Sequence, residues 1–492
     1  ALTIVLAIFG LVIASVFKNY PQAIFPCLIQ IPLAVIIGLT IHRKGSNILI
    51  PSLVSLVLMY LSVAFGDAGF LGDFNQFLGG DPSDPNSSGL SVISWVMLLL
   101  GYSYIASVLP VWTLLQPRDY INSLQLLSAL GLVVLGLIAA CFLGGAAPTP
   151  GAERPTLEIV APAFNFSPEG APSIFPFLFI TIACGAISGF HCLVSSGTSS
   201  KQLKCESDAQ FVGYGSMLTE GFLAFLVILA CISGLGLGTG NGEDFISGSA
   251  AFEARYASWD AAKGLGAKVG AFVEGSANFL KSLGLPAKFS IALMGVFVAS
   301  FAATTLDTAC RLQRYVVQEL AVTLAPRHRV DGKRNGDFVN GNPLFWLTNR
   351  HAATLFAITI AFFIAQLPGG EGKAAGTGGL LLWPLFGAVN QLLAGLAFLV
   401  ITFWLRRRGL PYFLALIPGI LMLILPAIAM SLNLRDFADK NSWLLFGFGF
   451  TTIIIEVWMI VEAISVWKKS KGILEIEENR PEATGNEGGR SC

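Results

Sequence analysis

His191 and Ser195 stand four residues apart, with Ser196 and Thr198 close behind, at the end of an apolar run, Ile174–Ala186, long enough to enter a bilayer. At helical spacing, His191 and Ser195 lie one turn apart on one face. An imidazole there can bind and release a proton near neutral pH, and the hydroxyl oxygens can hold a cation or a polar solute. Buried polar groups cost free energy in lipid unless something satisfies them, so a helix facing only lipid gains nothing from this cluster. Gly185, Gly189 and Gly197 let the backbone loosen and turn hydroxyls or carbonyls toward a solute. The structural alternative is a histidine and serines bonded to neighbouring helices as interhelical glue.

Asp307 lies deep in the apolar stretch Phe289–Leu324, where a charged carboxylate costs roughly 2.5–3.5 kcal/mol at a helix centre. Arg311 follows one turn on and Arg314 one turn further, on the same face. Two readings stay open: a gate or relay in which Asp307 exchanges between Arg311 and a proton or substrate, or a fixed intrahelical ion pair with Arg314 snorkelling. Tyr102, Tyr104, Ser107 and Pro110 share another apolar stretch. Pro110 removes a backbone donor and crowds the carbonyl of Ala106, so a kink there frees carbonyls near Ala106 and Ser107 for a cation or a substrate amine. A Pro-kinked packing helix is the other reading. Of the remaining acids, Glu220 and Glu319 lie near membrane depth, and Glu456 and Glu462 could meet the polar face of Asn390 and Gln391. The Arg118–Asp119 pair after Pro117 reads as a clamp in a loop.

The elements that must position these residues are membrane helices. Apolar residues make up 54% of the 492 and charged residues 12%, half the charge of an ordinary soluble domain. At about 20 apolar residues per crossing, roughly twelve spans are expected: Leu2–Phe17, Gln22–Ile41, Ile48–Gly66, Leu90–Leu115, Ile121–Leu143, Ile174–Thr198, Phe211–Gly234, Phe289–Leu324, Ala352–Leu367, Leu380–Leu405, Tyr412–Ser431 and Trp443–Trp467. The fold class expected is therefore an all-α, polytopic transmembrane helical bundle. Lys and Arg gather in alternate loops, at His42–Lys44, Arg118, Lys201 with Lys204, Arg327–Arg334, Arg406–Arg408 and Lys468–Lys469. The other loops carry Asp67, Asp73, Asp81 and Asp84, or Glu153 and Glu158, or Glu371 with Lys373. That asymmetry predicts that the basic side and both ends of this chain face the cytoplasm. Leu235–Lys288 reads as an external insert whose Phe252–Lys263 and Lys268–Leu283 stretches are amphipathic helices over the outer face. The acidic, Gly-rich stretch Glu475–Cys492 has the composition of a disordered tail.

Several function classes fall away on the same evidence. Formal net charge is zero, so no basic surface invites nucleic acid. The eight cysteines form no CxxC pair, and no metal site or cofactor is expected. A membrane hydrolase built on His191 and Ser195 lacks GxSxG, an oxyanion hole and a suitable in-line geometry. A channel lacks a repeated filter sequence.

Long strings now add up to a resemblance. Leu100–Tyr120 (LGYSYIASVLPVWTLLQPRDY), Gly213–Glu220 (GYGSMLTE), Thr304–Arg314 (TTLDTACRLQR) and Trp383–Gln391 (WPLFGAVNQ) resemble the carbon starvation protein A family. The likeness runs from about Leu2 to about Trp467. It implies a secondary transporter of the bacterial inner membrane for short peptides, with relatives that move pyruvate with protons. It also implies the LeuT-like architecture of amino acid–polyamine–organocation carriers, with inverted five-helix repeats. On that template residues 1–66 complete a first repeat, residues 90–324 with the insert 235–288 form a second, and residues 350–467 add four helices. Tyr102, Tyr104, Ser107 and Pro110 would then touch substrate, and His191, Ser195, Ser196 and Thr198 would serve a proton or sodium ion. Asp307, Arg311 and Arg314 would form a gate or ion pair. The chain opens on Ala-Leu-Thr inside an apolar run, and the family's Gly- and Pro-rich N-terminal helix is expected to be missing from it.

Overall fold

The computed structural model describes residues 2–44, 47–80, 89–149, 151–166, 170–240, 244–256, 258–259, 262, 264–324, 343–369 and 375–470. Asp81, Asp84, the basic run Arg327–Arg334, Glu371, Lys373 and the acidic tail Glu475–Cys492 lie outside the described residues. Within them the structure is helical, with one isolated β-bridge, Thr239 to Ile246. Among the described residues nine helices are long and apolar enough to cross a membrane. The bent pair Leu49–Ala64 and Gly69–Gly79, and the shorter apolar helices Val92–Val108 and Arg350–Gln366, occupy the remaining stretches read as spans. The protein is a multi-pass helical membrane bundle.

The helices fall into two compact units, each assembled from two separate stretches of chain. One contains residues 2–171 and 217–380. It comprises α1 (Leu2–Asn19), α2 (Ile24–Lys44), α3 (Leu49–Ala64), α4 (Gly69–Gly79), α5 (Val92–Val108) and α6 (Leu115–Leu143). The other contains residues 172–216 and 381–470, with α7 (Phe179–Ala186) and α8 (Gly189–Gly197). The boundary between units falls within α9 (Asp208–Leu229). The first unit continues with α10 (Ser249–Tyr256), α11 (Leu265–Ser282), α12 (Ala287–Leu324), α13 (Pro343–Trp346) and α14 (Arg350–Gln366). The second ends with α15 (Trp383–Arg407), α16 (Phe413–Asp439) and α17 (Trp443–Trp467). Of the helices within residues 90–324, α7 and α8 thus belong to the second unit and α5, α6 and α12 to the first.

In the first unit α12 is the central post. It packs against α1, α5, α6, α11 and α14. Its 38 residues reach about 57 Å at 1.5 Å per residue, well beyond an apolar core of about 30 Å. Ala, Ser and Gly recur on it (Ser290, Ala292, Gly295, Ala299, Ser300, Ala302 and Ala309 are all buried), and small residues let membrane helices approach closely. The stretch read as an external insert behaves differently from a surface helix. A Cβ on Gly275 of α11 would stand 2.1 Å from the Ala230 carbonyl oxygen, and one on Gly136 of α6 would stand 2.4 Å from that of Phe279. With Phe279 and Leu280 fully buried, α11 is wedged between its neighbours because glycines on both sides remove the bulk that would hold it off.

In the second unit α15, α16 and α17 form a three-helix set, and α7 and α8 pack on α15. The expected loosening of the helix after Gly185 is a true break. Ile187 leaves helical geometry at φ −135° and ψ 69°, and the Ser188 hydroxyl accepts from the Phe190 amide to restart the helix as α8.

Candidate functional site

Pro110 does more than kink its helix. Proline disfavours helical geometry at the residue before it, and Leu109 accordingly turns to φ −64°, ψ 150° and ends α5 at Val108. The expected span Leu90–Leu115 is thus shortened, and α6 starts at Leu115 rather than Ile121. Arg118 and Asp119 are therefore in the first two turns of a helix, not in a loop, and Arg118 is buried.

The carbonyls that Pro110 leaves open are occupied by the protein's own cations. Arg311 donates through Nη2 to the carbonyls of Ala106 and Leu109, both at 2.6 Å. Arg314 donates through Nη1 to the carbonyl of Ser107 at 2.7 Å. Two guanidinium groups thus cap the C-terminus of α5, where orphan carbonyls and the helix dipole both favour positive charge. The carbonyls of Ala106, Ser107 and Leu109, expected to face a cation or substrate amine, thus accept from the protein's own guanidinium groups in this conformation.

With Arg311 and Arg314 engaged, Asp307 turns elsewhere. Its Oδ2 forms an ion pair with Arg118 across from α6 and accepts a hydrogen bond from the Tyr102 hydroxyl at 2.8 Å. Arg118 Nη1 also donates to the Tyr102 oxygen at 2.7 Å, and its guanidinium lies 5.6 Å from that ring's centroid. Asp307 is 1% exposed and Arg118 3%, so the pair is shielded from water. The expected intrahelical pairing of Asp307 with Arg311 is replaced by a knot of three helices: α5 through Tyr102, α6 through Arg118, α12 through Asp307. Asp119 lies within electrostatic reach of Arg118 and Arg311. Asp307 Oδ1 has no hydrogen-bond partner among the described residues.

The knot continues as a polar seam between α6 and α12. Gln30 of α2 donates to Asn122, Asn122 donates to Thr304, and Thr304 donates to the Ser300 carbonyl at 3.1 Å. Gln125, fully buried on the same face of α6, has both amide atoms without a partner among the described residues. Tyr104 does not join the seam. Two residues from Tyr102, it points to the other side of α5, where its hydroxyl lies 2.9 Å from His351 Nδ1 of α14.

In the second unit His191, Ser195 and Ser196 lie on the exposed side of α8. Both serine hydroxyls donate to the Cys192 carbonyl, at 3.0 and 2.8 Å, leaving their oxygens able to accept. Thr198 caps α8 outside helical geometry, φ −132° and ψ −59°. Its buried Oγ1 has no partner among the described residues. The break before α8 is held open by Asn390 of α15. Its Oδ1 accepts from the Phe190 amide at 2.9 Å, and its Nδ2 donates to Ser188 Oγ at 2.9 Å and Cys184 Sγ at 3.2 Å. Gly189 permits this: a Cβ there would stand 2.1 Å from the Asn390 carbonyl oxygen. Among the described residues no three His, Cys, Asp or Glu side chains gather as a metal site requires.

The chain as a whole is similar to known proteins. The family described as carbon starvation protein CstA matches residues 1–240 and 248–429. The chain belongs to this family. It is 31% identical over 455 residues to the peptide transporter CstA of Mycobacterium tuberculosis, covering 86% of this chain and 55% of that protein. It is 29% identical over 468 residues to the peptide transporter CstA of Escherichia coli, covering 86% and 60%. It is 28% identical over 485 residues to the pyruvate/proton symporter BtsT of Escherichia coli, covering 88% and 62%. The chain therefore spans a little over half the length of these relatives. No solved structure matches it.

In this CstA-family chain Tyr102 and Ser107, read from the sequence as one candidate group, meet Asp307 and Arg314 of the other, and Arg118, read as part of a loop clamp, joins Tyr102 to Asp307. Arg118, Asn122 and Gln125 stand at i, i+4 and i+7 on α6, and Ser300, Thr304, Asp307, Arg311 and Arg314 repeat at three and four on α12. That matched polar periodicity was the available signal. Asn390 and His351 carried no comparable pattern, since each acts across a long sequence separation.

Proposed function

We propose that the protein containing this chain is a secondary active transporter of the bacterial inner membrane. It takes up short peptides by alternating access, coupled to protons, and is not an enzyme. The observation that carries the reading is the buried Arg118–Tyr102–Asp307 knot, which ties three helices of a CstA-family bundle at one end of α5. Such a pair is costly to bury and still costlier to break by removing one partner. It suits a gate that opens as a unit, with Arg311 and Arg314 holding the end of α5 until it does. Tyr102, Tyr104, Ser107 and Pro110 lie beside the substrate path, and His191 with Ser195, Ser196 and Thr198 binds the coupling proton. The LeuT-like pair of inverted repeats supplies the rocking elements, with both ends of this chain in the cytoplasm. Asp307 as a gate survives the change of partner from Arg311 to Arg118.

A second reading, pyruvate uptake with a proton, is favoured by the likeness to the pyruvate/proton symporter. Sodium coupling stands as the alternative to protons. One experiment separates these readings. Labelled tripeptide and labelled pyruvate are offered alone and in competition to proteoliposomes, with an imposed proton gradient, with a sodium gradient and with neither. Concentrative peptide uptake that needs the proton gradient, and is lost in Asp307→Asn, is the expected result. Equilibration without accumulation under any gradient overturns the transporter reading. Unchanged proton dependence in His191→Gln removes His191 from coupling. Restored uptake in the Arg118→Asp, Asp307→Arg exchange marks the pair as a static brace.

A further inference from the structure

The second unit holds a buried acid that lies outside the α5–α6–α12 knot. Glu456 of α17 is 3% exposed, its Oε1 has no hydrogen-bond partner, and no cation lies within ion-pair distance of it among the described residues. Gln391 of α15 is 1% exposed, with both amide atoms equally unpartnered. Packing places the two at one level. Gly395 meets Met422 and Leu423, and Gly419 meets Phe398, so α15 and α16 run antiparallel. One turn back from Gly395, Gln391 comes level with Pro426. Gly449 meets Met430, Leu434 and Leu385. Two turns on, and on the same face, Glu456 also comes level with Pro426. As a proline inside α16, Pro426 gives no amide to the Met422 carbonyl, and that carbonyl oxygen is 3.1 Å from where a Cβ on Gly395 would sit.

We propose that Glu456, the Gln391 amide and the Met422 carbonyl form a proton-binding site inside the α15–α17 set. An uncompensated carboxylate at membrane depth is costly. Taking up one proton turns it into a neutral carboxylic acid with an O–H to donate, and an amide and a carbonyl that lack donors stand at its level. The charges on the elements packed against α17 are distant. They are Arg406, Arg407 and Arg408 at the end of α15, Arg435, Asp436 and Asp439 in the last turns of α16, and Lys468 and Lys469 beyond α17. On α16 the nearest of them is nine residues past Pro426, about 13 Å along the helix. On α17 itself Glu462 is exposed. The site is independent of the α5–α6–α12 knot and of whether the protein transports anything.

Infrared spectroscopy of the purified protein in lipid nanodiscs reads the site directly. At neutral pH the wild type is expected to show a protonated-carboxyl C=O band that shifts down in D2O and is absent from E456Q. In Q391L, which keeps Glu456, the same band is expected to move to higher wavenumber because a hydrogen-bond partner is lost, so the result stands even if E456Q fails to fold. A band unchanged in E456Q, or unmoved in Q391L, overturns the proposal. Loss of the band on adding sodium chloride also overturns it, since that outcome assigns the site to a metal cation.

Discussion

Replacing Arg118 with Met separates a buried ion pair from ordinary packing. In the native arrangement Asp307 Oδ2 receives both the guanidinium and the Tyr102 hydroxyl, while Oδ1 receives nothing among the described residues. Removing Arg118 leaves a 1% exposed carboxylate with one neutral donor, which costs about 3–5 kcal/mol. Asp307→Leu strands Arg118 in the same way and at similar cost. The double variant removes both charges of the pair and leaves the Tyr102 hydroxyl short of a partner, a loss of about 1–3 kcal/mol, while the attraction of Arg118 for Asp119 is lost equally in the Arg118 single and so cancels from the cycle. The singles should therefore sum to roughly 6–10 kcal/mol against about 1–3 for the double, on those same figures. The assay is a double-mutant cycle on unfolding in mixed micelles, with Tyr102→Phe added to recover the hydroxyl loss. Additivity within about 0.5 kcal/mol, as for distant independent sites, would refute the pairing of Arg118 with Asp307.

Three further outcomes follow from the same geometry. Gly189→Ala drives a Cβ to 2.1 Å from the Asn390 carbonyl oxygen and should cost about 1–3 kcal/mol or more, whereas Gly101→Ala, with open space at its Cβ, should be neutral; thermal midpoints in detergent compare the two. Tyr20, between α1 and α2, is pushed up to about 12 by burial and by the charge of Glu274, partly offset by Arg255. The folded state thus keeps that proton where the unfolded state loses it, so its contribution is intact below pH 10 and falls as pH rises from about 10 to about 12. Unfolding midpoints across that window should fall more shallowly in Tyr20→Phe. Arg255 and Glu274 form a partly exposed ion pair, so Glu274→Gln should cost only about 0.2–1 kcal/mol. That cost should shrink at high salt, read by the same unfolding assay.

The sequence by itself determined the membrane class and where the long apolar helices lie. Those depend on local hydropathy, helical periodicity and the price of a charge in lipid, all properties of neighbouring residues. The family strings pointed the same way. Even the break near Gly189 was legible, because glycines and hydroxyls mark where a helix can open. What the tertiary structure decided was partnership. Asp307 could pair along its own helix or across to another, and local spacing favours Arg311. The structure chose Arg118, 189 residues away, because Pro110 ends α5 and presents carbonyls that Arg311 and Arg314 satisfy better than a shared carboxylate. Asn390 braces a break 200 residues distant, and α11 is buried rather than superficial because Gly136 on α6 and its own Gly275 let neighbouring backbone come close. Such choices depend on which backbones approach closely enough to exclude a side chain, and that is fixed only when the helices are packed.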